Sequence, residues 1–358
     1  MIRAALSGGL DWKVLMDLAE EHSVQGLLAR QLGAIGYEGV PVEVRNQLQA
    51  RLRAQHLFTL SMSAELFRIL EDFSNAKIGT MLVKGPLTSW LAYGDVATRS
   101  YVDLDLLVLH EDVLRATHRM LALGFELDVP VSVVEMGKIP GEYLFTRPGT
   151  QRMVELHTER SFRYYPKAMP LEELFARKRS IFLDGREVPA LSLEDEFVLD
   201  CIHGAKHFWE RLMWVSDIAA VVSRHPEMDW RKVRPAAQEV GAGRMLHVGL
   251  RIGAELLGLE LPEAMAKEVQ QDQASERLCR QIQTWLPFAG FAPPPLARRA
   301  KFRADMAGGG PTGVGYLLRL TLSPTEEDWK EGAEERRSWI WDSLRRPFRL
   351  IRKYSSGR

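Results

Sequence analysis

The stretch "MLVKGPLTSWLAYGDVATRSYVDLDLLVL", residues 81–109, contains the change of rhythm on which the fold turns. It opens on an apolar run that stops at Lys84-Gly85. The segment from Pro86 to Gly94 reads as a short helix, with proline tolerated in its first turn and glycine near its end. A second apolar run then holds two aspartates, Asp103 and Asp105, one residue apart. Strand side chains alternate with period two, so both aspartates point to one face, with Cα atoms roughly 6.5–7 Å apart. Val102, Leu104 and Leu106 take the other face, and Leu107 and Val108 make the strand apolar on both sides. Two like charges at the end of a buried strand call for a counter-ion. Paired carboxylates suit a hard divalent cation, Mg²⁺ or Mn²⁺, shared with substrate phosphate oxygens.

Away from this stretch the period is helical on both sides. Residues 11–75 read as helices, first in "DWKVLMDLAEEHSVQGLLARQL" and then in one long amphipathic run after Pro41. "HEDVLRATHRMLALGF" reads as a helix closed by Gly124. "EYLFTRPGTQRMVELHTE" reads as a hairpin turning at Arg147–Thr150, and "RSIFLDGREVPAL" as another turning at Asp184-Gly185. From Ser192, a predicted N-cap with Asp195 in the capping-box position, the helical period returns. The fold class expected is α+β: a small mixed β-sheet core over 77–190, flanked by an N-terminal helical region, 1–76, and a C-terminal helical domain, 191–358.

Composition excludes several classes. Of 358 residues, 46% are hydrophobic, enough to build a core rather than a disordered chain. Lys plus Arg (47) equals Asp plus Glu (47), so no basic excess points to general nucleic-acid binding. The two cysteines, Cys201 and Cys279, lie in apolar helical patterns, which suits a reducing cytoplasm rather than a disulfide framework. The start carries no signal-peptide pattern, and no run of 18 uncharged apolar residues predicts a membrane span. The basic, aromatic-rich end "RRSWIWDSLRRPFRLIRKYSSGR" has two readings, peripheral contact with an anionic surface and packing of a last helix onto the domain.

Chemistry gathers around the aspartates. Lys84-Gly85 ends a strand and opens a helix, where backbone N–H groups and the helix dipole favour phosphate. Gly85 lets a ligand approach the backbone, while Lys84 and Arg99 add charge for a triphosphate. A lysine on the surface and an arginine paired with Asp95 or Glu111 are the plainer alternatives. In "RMVELHTE", Glu155 and His157 share a strand face. If that strand lies beside Asp103 and Asp105, Glu155 completes a three-carboxylate cluster or deprotonates a nucleophile. Glu159, on the same face, competes for the role.

The order strand, Lys-Gly, short helix, Arg, Asp-x-Asp strand, later Glu strand resembles the DNA polymerase β-like nucleotidyltransferases. One departure is that Lys84-Gly85 replaces the usual Gly-Ser, so a serine contact to phosphate is missing. With that departure the chain is similar to an uncharacterised bacterial nucleotidyltransferase family found near lasso-peptide and exosortase clusters. The likeness rests on "KG…R…DLDLLV", "VELH" and "LSLEDEFVLDCIHGAKHFWERLMWVSDIA". It implies Asp103, Asp105 and Glu155 as metal-binding and catalytic residues, with Lys84, Gly85, Arg99, His157, His207 and Arg211 around the nucleotide. It implies transfer of a nucleoside monophosphate from an NTP, ATP foremost, to a hydroxyl of a protein, peptide or small molecule. The alternatives are a catalytically degenerate nucleotide-binding adaptor and a kinase-like phosphotransferase using the same cradle.

His203 and His207 are four apart and face one way on a helix, with Arg211, Trp214 and Asp217 roughly following. Three readings stand: a metal pair, a polar face closing over phosphate or acceptor, and a buried network in which Asp217 orients a histidine or an arginine.

Overall fold

A computed structural model of the chain describes residues 3, 6, 8–137, 141–158, 166–167, 171–286 and 295–323. The describable elements begin with the helices α1 (Trp12–Glu21), α2 (Gln25–Ala34) and α3 (Val42–Asn75). The sheet region follows as β1 (Thr80–Val83), α4 (Gly85–Tyr93), β2 (Asp103–Val108), α5 (Val113–Ala122), β3 (Glu126–Leu127), α6 (Val131–Glu135), β4 (Glu142–Thr146), β5 (Met153–His157), α7 (Leu171–Ala176), β6 (Arg179–Leu183) and β7 (Arg186–Ala190). Then come α8 (Leu193–Lys206), α9 (Leu212–Arg224), α10 (Trp230–Glu239), α11 (Gly243–Leu257), α12 (Glu263–Gln271), α13 (Gln273–Trp285), α14 (Leu296–Met306) and α15 (Gly310–Leu322). The class is α+β, as the sequence predicts.

Among the described residues the strands form one mixed sheet in the order β3-β4-β5-β2-β1-β7-β6. β1 and β2 sit in the middle, which explains their nearly unbroken apolar sequence: every residue of β1 is buried, and in β2 only Asp103 keeps some exposure. Both predicted hairpins form. In the second, Asp184 and Gly185 take φ of 47° and 78°, the left-handed pair that a two-residue turn requires. Ser192 caps α8, its hydroxyl oxygen accepting from the Asp195 amide at 3.1 Å.

Two features differ from the expectation. The amphipathic run after Asp11 is two helices, because Ser23 turns left-handed (φ 56°) and the Val24 amide closes α1 onto the Ala19 carbonyl at 2.8 Å. β3, α6 and α7 have no counterpart in the reading, being too short for a period to show. The main core runs continuously from α3 through the sheet into the helices up to α14. A smaller core, Met16, Ala29, Leu32 and Leu48, ties α1 and α2 to the first half of α3.

Candidate active site

Strand register builds the site. β2 and β5 pair in parallel, with Asp105 opposite Glu155 and Leu107 opposite His157. β4 pairs antiparallel on the outer side of β5 and sets Glu142 opposite His157. Paired residues share a face, so Asp103, Asp105, Glu155, His157 and Glu142 all lie on one surface of the sheet. On the other side of β2, Val83 pairs with Asp105, and Lys84 follows at the strand end.

The Lys84 ammonium donates to Asp105 Oδ1 at 2.6 Å. His157 Nε2 lies 2.6 Å from the same oxygen and 3.2 Å from Glu155 Oε2. Asp105, Glu155 and His157 each present a ligand atom within 4.8 Å of the others. Asp103, two residues earlier on the same face, stands outside this tightest set. Burial and the charges of Asp105 and Glu155 push Asp103 up to about 7. Burial alone would raise Asp105 as well, but Lys84 and His157 hold it well below the usual carboxylate range. Burial and Lys84 oppose protonation of His157, yet its bonds to Asp105 and Glu155 prevail and raise it to about 9. Lys84 is likewise kept charged against burial by Asp105 and Glu155. The cluster therefore balances its own charge, carboxylates against an ammonium and an imidazolium.

Lys84 holds a conformation (φ 50°, ψ −152°) that ordinarily belongs to glycine and costs on the order of 1–3 kcal/mol. Its N–H donates to Glu196 Oε1 on α8 at 2.7 Å, which pins the turn. Gly85 follows at φ 37°, and a Cβ there would stand 3.4 Å from the Asp103 carbonyl, so the turn lies close against the start of β2. Thr88 Oγ1 lies 3.0 Å from both Glu196 Oε1 and Asp200 Oδ1. One hydroxyl proton serves only one carboxylate, so the second contact needs a protonated carboxyl. Burial supplies it, raising Glu196 to about 7 and Asp200 well above its ordinary value.

Arg99, read as a candidate phosphate ligand, is buried and engaged: its Nε donates to Asp217 Oδ2 at 2.7 Å. The Tyr93 hydroxyl donates to the other oxygen of Asp217 at 2.7 Å. Neither Asp95 nor Glu111 is its partner. Asp95 instead accepts from Ala97 N and from the Thr98 hydroxyl. Of the readings for α8 and α9, Asp217 fits the buried network, orienting an arginine. The ring centroids of His203 and His207 lie 4.7 Å apart, and His207 stacks on Trp214 at 4.9 Å. Arg211 is exposed, bonded to the Ser23 hydroxyl at 3.2 Å with its guanidinium 5.8 Å over Trp214. Glu159 and the basic C-terminal stretch lie outside the described residues.

Three acidic residues of the site are absent from the sequence reading. Glu142 was within reach, since the predicted hairpin turn fixes its register against His157. Glu196 and Asp200 carried a subtler signal: α8 is buried almost all round, so acids on it are buried acids. The donor set fits a divalent cation, with four carboxylates, Asp103, Asp105, Glu142 and Glu155, on one face of the sheet. The Lys84 ammonium on Asp105 already stands in for a positive charge.

Residues 8–258 match a family described as uncharacterised nucleotidyltransferases. Among curated proteins, none matches the chain. A solved structure, an antigenic nucleotidyltransferase-like protein from Paracoccidioides brasiliensis, is similar at 15% identity with a TM-score of 0.39, over 58% of this chain and 92% of that one.

Proposed function

The chain belongs to that family of uncharacterised nucleotidyltransferases, and from this we propose that it transfers a nucleoside monophosphate from an NTP to an acceptor hydroxyl with the help of Mg²⁺ or Mn²⁺. The observation that carries the reading is the parallel register of β2 and β5, which sets Glu155 opposite Asp105 beside Asp103. Asp103 and Asp105 hold the cation, and His157 orients Asp105 through its contact with Oδ1. A divalent ion bound there supplies charge neutralisation for the attacking and leaving oxygens. Glu155, with 24% of its side chain exposed, is open enough to take the acceptor proton. The acceptor oxygen then bonds to the α-phosphorus, and the bond to the bridging oxygen breaks. Pyrophosphate leaves with the electron pair. Lys84, released from Asp105, and the Gly85 amide at the start of α4 receive the phosphates.

One observation favours a rival. An internal ammonium already seated on Asp105 suits a nucleotide-binding module that works without a metal. Thermal unfolding with each of the four common NTPs, with and without Mg²⁺, separates the two. The enzyme reading expects NTP stabilisation that needs Mg²⁺ and disappears in Asp105→Asn. The rival expects stabilisation indifferent to Mg²⁺, and no response to any NTP defeats both.

The reading concerns a protein in which no helix among the described residues is long and apolar enough to cross a membrane. We place it in the cytoplasm because NTPs and reduced thiols belong there, and both Cys201 and Cys279 are free and buried.

A further inference from the structure

On α8 a single face climbs from the acidic turn toward solvent. Glu196, Asp200, His203 and His207 follow one another at four, three and four residues, the spacing of one helical stripe. Glu196 is fully buried and bonded to the Lys84 amide, while His203 and His207 are half-buried. At 1.5 Å per residue, His203 and His207 lie about 10 Å and about 16 Å along the axis from Glu196. That is the span of a nucleotide laid along the helix with its phosphates at Lys84.

The far end of this stripe is aromatic. His207 and Trp214 stack with centroids 4.9 Å apart and planes 24° from parallel. His203 meets Trp214 edge-on at 5.6 Å. Around the stack stand cations from three elements. Arg211 lies over Trp214, Lys206 neighbours His207 in sequence, and Arg303 on α14 reaches the Lys206 carbonyl at 3.5 Å. Burial, then Lys206, Lys84, Arg211 and Arg303, push His207 down to about 3, and burial and His207 push His203 well down too. Both imidazoles are neutral at physiological pH. They offer flat rings to a ligand rather than charge.

We propose that the His207–Trp214 stack, with His203 at its edge, is the platform on which the nucleobase of the NTP stacks. The assignment rests on the NTP reading above and adds what that reading leaves open, the wall that holds the base. It changes the role of His207 from a phosphate contact to a ring contact and leaves the phosphates to Lys84 and its neighbours. Stacking tolerates any base, because every base has a π face, so affinity gained here discriminates little among the four NTPs.

The test is calorimetric titration of the full chain with Mg²⁺ and, separately, ATP and inorganic tripolyphosphate. The variants are His207→Ala and His207→Phe, each first checked for an unfolding temperature near wild type. The expected result is ATP binding weakened about tenfold in His207→Ala and restored in His207→Phe. Tripolyphosphate, which has no base, binds all three proteins alike. Equal loss of ATP and tripolyphosphate in His207→Ala overturns the proposal in favour of a phosphate contact. ATP binding unchanged in His207→Ala, but lost in Asp105→Asn, overturns the platform and leaves the nucleotidyl-transfer reading standing. A wild-type chain that binds no nucleotide overturns both.

Discussion

The Lys84 ammonium lies 2.6 Å from Asp105 Oδ1, with 14% and 6% of the two side chains exposed. A buried charge that loses its partner is destabilising by about 3–5 kcal/mol. Lys84→Met therefore leaves Asp105 and Glu155 without their main counter-charge and lowers stability by about that amount in chelator. Mg²⁺ should restore much of the loss, so the difference in unfolding midpoint with and without Mg²⁺ is larger in Lys84→Met than in wild type. Urea unfolding of both proteins in EDTA and in Mg²⁺ checks this. A Lys84→Met variant as stable as wild type in EDTA would show that the ammonium is not the site's resident cation.

Arg99 and Asp217 make a second buried pair, with 7% and 3% of their side chains exposed. Removing the arginine alone orphans Asp217, and Arg99→Met should cost about 3–5 kcal/mol. Replacing both with apolar residues, Arg99→Met with Asp217→Leu, should recover most of that loss. The Tyr93 hydroxyl loses its acceptor in the double variant, so recovery is incomplete. If Arg99 only braces α4 and the loop before β2 against α9, the double variant keeps wild-type NTP affinity. Loss of NTP binding in a well-folded double variant would return Arg99 to the phosphate role.

These two pairs show what the sequence discloses and what it hides. The alternation Asp103, Leu104, Asp105 and the switch from period 3.6 to period 2 near residue 80 were enough to place strands and the shared acidic face. Glu155 was legible as a same-face residue on its own strand, but its position opposite Asp105 depends on a parallel pairing that no local pattern announces. Asp217 and Glu196 meet Arg99 and Lys84 across 118 and 112 residues of sequence. Such contacts are decided by how helices pack on the sheet, and a charged residue reads the same whether its partner is phosphate or another side chain.

Glu196 is pushed up to about 7 by burial from an ordinary value of 4.5, and Asp200 rises as well. Between about pH 4.5 and 7 the unfolded chain loses the Glu196 proton while the folded chain keeps it. Stability from this group is thus fully present below about pH 4.5 and lost as pH rises toward 7, at up to about 1.4 kcal/mol per pH unit. Glu196→Gln keeps an oxygen for the Lys84 amide and the Thr88 hydroxyl but has no proton to lose. It should flatten the stability profile across that window and be more stable than wild type at pH 8. Chemical denaturation at several pH values measures both slopes. Parallel profiles for the two proteins would mean that Glu196 does not titrate between them.

Trp209, fully buried, fits against two glycines. A Cβ on Gly204 would lie 2.6 Å from its ring, and one on Gly249 would lie 3.2 Å from it and 2.9 Å from Cys201 Sγ. The ring sits between α8 and α11, at the end of α8 that carries His203 and His207 and away from the end whose Glu196 contacts Lys84. It cannot back away, because its own backbone is fixed in a left-handed turn (φ 53°) closed by the bond from its amide to the Gly204 carbonyl at 2.8 Å. Gly204→Ala should therefore cost more than the usual 1–3 kcal/mol range's lower end for overpacking, about 2–3 kcal/mol. Gly249→Ala, whose nearest neighbour is a thiol, should cost less. Thermal unfolding of the two variants ranks them. A Gly204→Ala protein that melts with wild type would mean that the helices separate easily here, and the wall carrying His203 and His207 would then not be rigid.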